Sequence, residues 1–297
     1  MEEKKLLLIV NPVSGRIRIS SSLFDIIKVF SDGGFRVTVK MTTARGDATK
    51  IVAELGDQHD VVVLCGGDGT LNEGIMGVLS AGLTVPVGYI PCGTTNDFAA
   101  SLGIERENLK QAALNIVNGK AVPIDIGDFG GMRYFTYIAS FGAFTGTSYN
   151  VPQVNKNMFG HLAYVMEGLK DLPNIKPIFA RVTLDGVSME DEFIFGSVSN
   201  ATSIGGMVKI DSDKVDFSDG MFEVMLVRNP QSALEISKVI VAIQTGKYED
   251  CCVSFHHAKD IVFEMPDPAP WALDGEYGPG DTCREIKVLH HAIRIII

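Results

Sequence analysis

The most explicit chemistry in this 297-residue chain lies in nine consecutive residues, Cys65-Gly66-Gly67-Asp68-Gly69-Thr70-Leu71-Asn72-Glu73. Glycine lacks the Cβ that keeps a ligand away from the backbone, so Gly66, Gly67 and Gly69 would let N–H groups approach a phosphate. The stretch follows a buried apolar run, Asp60 to Cys65, and precedes a helical pattern starting near Thr70. A helix opened by this turn would offer its N-terminus to an anion. Asp68, a carboxylate among the glycines, could hold magnesium against phosphate oxygens. The competing reading is an ordinary glycine-rich strand-to-helix turn. No GxxxxGK[ST] occurs, so the site is not a Walker P-loop.

Two further polar loops follow apolar runs in the same way. Asn11-Pro12-Val13-Ser14-Gly15-Arg16 comes after Leu6 to Val10, and Pro91-Cys92-Gly93-Thr94-Thr95-Asn96-Asp97-Phe98 comes after Val85 to Ile90. The elements that must position these loops alternate. Short apolar runs, with Phe35 to Met41 among them, are separated by helical spacings at Ser22 to Phe30, Ala48 to Leu55 and Asn108 to Asn118. That pattern predicts a parallel, doubly wound α/β sheet with helices on both faces. Ligands bind such sheets at the carboxyl ends of the strands, so all three loops are expected at one nucleotide site.

After about Gly119 the pattern changes. Strand-like runs follow one another at Arg133 to Ala139, Phe179 to Leu184, Met189 to Asn200, Gly220 to Val227, Cys252 to Glu264 and Glu285 to Ile297. Helical spacing remains only at Val154 to Asp171 and Ala233 to Gln244. The expected organisation is an α/β domain over 1–124 and a β-sandwich over 125–284, with the last strand, within 285–297, returning to the first domain. Asp274-Gly275-Glu276 follows the apolar Trp271-Ala272-Leu273. A carboxylate there could accept a hydroxyl proton, or it could be a solvated turn residue. Asp219-Gly220 reads equally as a turn between strands.

NPVSGR (11–16), GGDGTLNE (66–73) and IPCGTTNDFA (90–99), in this order and spacing, resemble the diacylglycerol kinase catalytic family, a group related to sphingosine and ceramide kinases. The GGDGT element alone is shared with NAD kinases; the TTNDFA loop points to the lipid-kinase branch. The resemblance runs over essentially the whole chain. It implies a lipid kinase that moves the γ-phosphate of ATP to the hydroxyl of diacylglycerol or a related lipid alcohol. Asn11, Ser14, Gly15, Thr43, Gly66, Gly67, Asp68, Gly69, Thr70, Asn72, Glu73, Thr94 and Asn96 would form the nucleotide site, with backbone N–H groups of Gly67 to Thr70 cradling the phosphates. Glu276, together with Asp274, would take the proton from the acceptor hydroxyl, and Asp68 would act with a catalytic Mg2+. Asp216, Asp219 and Met221 would hold a structural Mg2+, and Asp125 would join a water-and-magnesium network. The rival readings are a kinase acting on a soluble nucleotide, as NAD kinases do, and a regulator that binds nucleotide or lipid without turnover.

Composition sets limits on partners. The net charge is −10, with 26 Lys and Arg against 36 Asp and Glu. That balance argues against nucleic-acid binding, which needs clustered cations. The five cysteines show no CxxC spacing, and the six histidines no HExxH, so neither a disulfide framework nor a zinc site is expected. The apolar run Leu6 to Val10 is too short for a signal peptide. The expected setting is the cytoplasm, with peripheral contact at the inner membrane face where a lipid acceptor lies. An exposed edge strand of the β-rich half would suit a homodimer.

Overall fold

The computed structural model describes residues 3–143, 176–204, 208–209, 215–248 and 252–297. The helix expected at Val154 to Asp171 lies outside the described residues. The chain divides into two compact units, 1–125 with 291–297, and 126–290.

The first unit is a parallel sheet in the order β2-β1-β3-β4, comprising β1 (Lys4–Val10), β2 (Phe35–Met41), β3 (Val61–Gly66) and β4 (Val87–Pro91). Strands β1, β3 and β4 are buried along nearly their whole length, which explains their unbroken apolar runs. Helices α1 (Arg16–Asp32) and α5 (Leu109–Asn118) cover one face, where Ile26, Phe30, Ala113 and Ile116 pack on Leu6, Leu8, Val63 and Ile90. Helices α2 (Asp47–Leu55) and α3 (Asp68–Ser80) pack together on the sheet: a Cβ on Gly77 would fall 2.6 Å from the Thr49 carbonyl, and one on Gly74 would fall 2.3 Å from Leu64. A short helix, α4 (Asp97–Ser101), follows β4. It was not evident in the sequence, because five residues are too few to show a helical period.

The second unit is a β-sandwich. Its strands begin with β5 (Ala121–Phe129, entered from the first unit), β6 (Tyr134–Phe135), β7 (Ile138–Gly142), β8 (Ile178–Leu184) and β9 (Val187–Ser199). The short pair β10 (Ser203–Ile204) and β11 (Val208–Lys209) forms a separate ribbon. Then come β12 (Phe222–Arg228), helix α6 (Ala233–Thr245), β13 (Val253–Ala258), β14 (Asp260–Glu264), β15 (Trp271–Leu273), β16 (Glu276–Gly278) and β17 (Cys283–Ile296). One set of strands runs β16-β15-β7-β9-β12-β13 and the other β9-β8-β14-β17-β5-β6, with the long β9 shared between them. Their inner faces meet in an aromatic core: Trp271 lies 4.9 Å from Phe141, 5.1 Å from Phe263 and 5.3 Å from Phe129. Such interleaving of alternate residues from two sheets is what defines a sandwich.

Two expected strands are each broken in two. The run Cys252 to Glu264 changes sheets at Lys259, where the Asp185 carboxylate accepts the N–H groups of Lys259 and Asp260. The run Arg133 to Ala139 is interrupted at Thr136 and Tyr137, whose N–H groups turn to the carboxylate of Asp274.

Candidate active site

In the first unit the loops after β1, β3 and β4 meet backbone to backbone. A Cβ on Gly67 would lie 3.2 Å from the Gly93 Cα and 3.2 Å from the Ser14 Oγ; one on Gly93 would lie 2.8 Å from the Gly67 Cα. Gly15, in the left-handed conformation at φ 57°, presses on the Cys92 carbonyl, which a Cβ would approach to 2.3 Å. These glycines are therefore required by loop-to-loop contact. Gly69 differs, because a Cβ there meets nothing within 4 Å. The first turn of α3 thus faces open space at the point where the N–H groups of a helix start lack internal acceptors.

Asp68 is the first residue of α3, and its Oδ2 accepts the Asp97 N–H at 3.2 Å, where α4 begins. The carboxylate so stands at two helix starts, both of which favour negative charge. Burial first, then the charge of Asp68, pushes the Tyr89 hydroxyl up and keeps it neutral. Beneath the loops the Cys65 and Cys92 sulfurs lie 3.4 Å apart, and their hydrogen bond together with burial pushes the Cys65 thiol well up. It is no nucleophile at neutral pH.

Several residues expected at the nucleotide brace the loops. Asn11 donates to the Thr70 Oγ1 at 2.9 Å, and its Oδ1 accepts the N–H groups of Val13 and Ser14. The Thr70 N–H, expected to cradle phosphate, bonds to the Gly67 carbonyl at 2.9 Å. Asn96 is buried at φ 52°, where it accepts from the Gly93 N–H and the Tyr89 hydroxyl and donates to the Gly93 carbonyl. The Glu73 carboxylate accepts the Gly46 and Ala48 N–H groups at the start of α2, and Thr43 bonds to Asp47. Asn72 is buried within α3, Gly66 packs on Thr70, and Ser14 is half-buried beside Gly67. Thr94 is exposed on its loop. The groups left facing the open end of α3 are Gly67, Asp68, Gly69 and Ser14. Asp97, not singled out in the sequence, joins them through its bond to Asp68.

The second unit holds the other expected residues. Asp274 turns the β15–β16 hairpin at φ 50°, and its two oxygens accept four N–H or O–H groups from Thr136, Tyr137 and Ile138. Burial nevertheless raises its pKa, those bonds opposing the rise. A carboxylate so engaged fixes the hairpin. Glu276, two residues on, is half-exposed and ion-paired with Arg133. In the turn before β12, Asp216 Oδ1 accepts from Ser218 and Asp219 Oδ1 accepts the Met221 N–H at 2.8 Å. Glu223, two residues further and 1% exposed, has its pKa raised to about 8 by burial first, with Asp219 and Asp216 adding to it. The alternation of β12 hid this residue: Glu223 sits on the face opposite the core residues Phe222 and Val224, where a glutamate reads as solvated.

Two family models match successive parts of the chain. Residues 5–129 match the family model described as the diacylglycerol kinase catalytic domain. Residues 143–297 match the one described as the YegS C-terminal NAD kinase beta sandwich-like domain. A diacylglycerol kinase of Bacillus subtilis (strain 168) is 34% identical over 97% of this chain and 95% of its own. The chain belongs to the diacylglycerol kinase family. Another relative in this family, the diacylglycerol kinase of Staphylococcus saprophyticus, is 31% identical over 93% of this chain and 90% of its own. A solved structure of a diacylglycerol kinase from Bacillus anthracis superposes with a TM-score of 0.79 at 25% identity, covering 100% of this chain and 97% of the other. The family is one of phosphotransferases, and the architecture of an α/β unit followed by a β-sandwich is common to it. No helix among the described residues is long and apolar enough to cross a membrane.

Proposed function

We propose that this chain transfers the γ-phosphoryl group of ATP to the hydroxyl of diacylglycerol or a closely related lipid alcohol. The observation that carries the reading is the open first turn of α3. Three loops close around it with glycine contacts, and Asp68 stands where two helices begin. Phosphoryl transfer depends on positioning and charge neutralisation more than on covalent chemistry, and this turn supplies both. The N–H groups near Gly67 to Gly69 receive phosphate oxygens, and Ser14 closes the loop above them. Glu276 accepts the proton of the lipid hydroxyl. Asp274 sets the turn that carries Glu276.

Magnesium fits two places. Asp68 would hold the ion that offsets charge on the transferred group. Asp216, Asp219 and the Met221 carbonyl would hold a second ion with a structural role. The oxygen-only donor set suits a hard cation. The Glu223 pKa is raised first by burial, and Asp219 and Asp216 add smaller contributions from their nearby charge. The acceptor resides in membrane, so the protein acts at a membrane surface from the cytoplasm.

The test is transfer of radiolabelled γ-phosphate from ATP and magnesium into mixed micelles containing diacylglycerol, with wild type and Glu276→Gln in parallel and NAD in a separate tube. Lipid label from wild type alone supports both the kinase and its base. Label in NAD would instead assign a soluble acceptor, and magnesium-dependent ATP binding without transfer to any acceptor would assign a regulator.

A further inference from the structure

Glu276 is held from a second hairpin. Arg133, at the end of the β5–β6 turn, pairs through its Nη2 with Oε2 of Glu276. We infer that Arg133 is a positioning residue for Glu276: it fixes the rotation of the carboxylate and so the direction in which it meets the acceptor hydroxyl. The inference rests on the assignment of Glu276 as proton acceptor.

Three observations make this more than a surface ion pair. The turn that presents Arg133 is closed by its own bonds, Phe129 N–H to the Arg133 carbonyl at 2.8 Å and Gly131 N–H to Asp128 Oδ1 at 2.8 Å. It also rests on a buried cation. Arg284, 4% exposed, lies 4.5 Å from the centre of the Phe129 ring, and its Nη1 is 3.2 Å from the Met132 sulfur. A Cβ on Gly130 would come within 2.8 Å of that nitrogen, so the turn lies close against the Arg284 guanidinium. Finally, the residues after Arg133 grip the neighbouring carboxylate: Thr136, Tyr137 and Ile138 supply four bonds to Asp274. One segment, 133–138, thus holds both carboxylates of the β15–β16 hairpin.

The side chains of Arg133 and Glu276 are 25% and 36% exposed, and pairs of that kind add little to stability. Replacing Arg133 should therefore leave folding nearly intact while misdirecting the base, and small misplacements at a reacting group cost on the order of 10²-fold in rate. Arg133→Met is expected to lower kcat about 10- to 100-fold with the KM for ATP unchanged. Arg133→Lys should recover part of the loss. In a Glu276→Gln background, Arg133→Met should change the residual rate less than about twofold, because the two residues act as one unit. Equal fractional losses in both backgrounds, or full activity of Arg133→Met where Glu276→Gln is inactive, overturn the inference. A fully active Glu276→Gln overturns the base assignment itself and the inference with it. Nitrogen-15 spectra of the Arg133 guanidinium give a readout independent of any acceptor. Its hindered rotation should disappear in Glu276→Gln, and unchanged signals in that variant would also overturn the pairing.

Discussion

Glu223 makes the stability of the β-sandwich unit depend on pH. Its carboxyl holds a proton to about pH 8 in the folded unit, against an ordinary glutamate value of 4.5. Across that window the folded state binds more protons than the unfolded one. The contribution of Glu223 to stability is therefore fully present below about pH 4.5 and is lost as pH rises toward 8. The whole gap corresponds to roughly 4–5 kcal/mol at about 1.4 kcal/mol per pH unit, and the stretch from pH 5 to 7 to about 2–3 kcal/mol. Glu223→Gln keeps the shape and removes the titration. His257, whose Nε2 is 3.9 Å from Glu223 Oε1, is present in both proteins, so their difference reports the carboxyl together with its interaction with that histidine. The chain has one tryptophan, Trp271, fully buried in the sandwich core, so urea unfolding followed by its fluorescence reports on this unit alone. In chelator, the wild type should lose about 2–3 kcal/mol relative to Glu223→Gln between pH 5 and 7. Parallel curves for the two proteins would refute the reasoning. Millimolar magnesium, by occupying the Asp216–Met221 turn, should shrink the difference.

Gly69→Ala should raise the melting temperature slightly, since alanine gains about 0.5–1 kcal/mol over glycine in a helix and the space is open. The same substitution should weaken ATP binding at least about tenfold by calorimetry, a loss of about 1.4 kcal/mol; unchanged affinity would remove phosphate from this turn. Asp68→Ala should abolish transfer and the magnesium dependence of nucleotide affinity, and titrations with and without the ion check this. Asp274→Ala strands four donors and should cost the sandwich about 2–4 kcal/mol in the tryptophan unfolding assay, with Glu276 activity falling alongside. A protein of unchanged stability would show that the hairpin is held otherwise.

Much of this was legible in the sequence. The buried parallel strands announced themselves as unbroken apolar runs, and the three glycine loops sat at their ends, so both the α/β unit and the meeting of the loops followed from position alone. Side-chain duties were less legible. Asn11, Asn96 and Glu73 share the polar character of ligand-binding residues, yet their bonds close loops and cap a helix. Only three-dimensional partners separate those roles. Arg133 and Glu276 are 143 residues apart, and no local pattern joins them. Glu223 was hidden because period-two alternation tells inside from outside only when one face of a sheet is wet. The change of sheet at Lys259 is enforced by Asp185, a residue 74 positions earlier, and leaves no turn signature of its own.

The closing of the first unit by residues 291–297 has a consequence for synthesis. Ile295 pairs with Val87 beside β4, Ile296 enters the core with α1 and α5, and Lys120 and Ile297 exchange backbone hydrogen bonds. A ribosome delivers these residues only after the whole of 126–290. The first unit is begun before the sandwich and completed after it, while the sandwich, contiguous in the chain, can complete itself in between. During translation the edge of β4 stays unpaired for some 200 residues of elongation, roughly 10–40 s at ordinary rates. That interval is when a nascent chain of this kind most needs shielding.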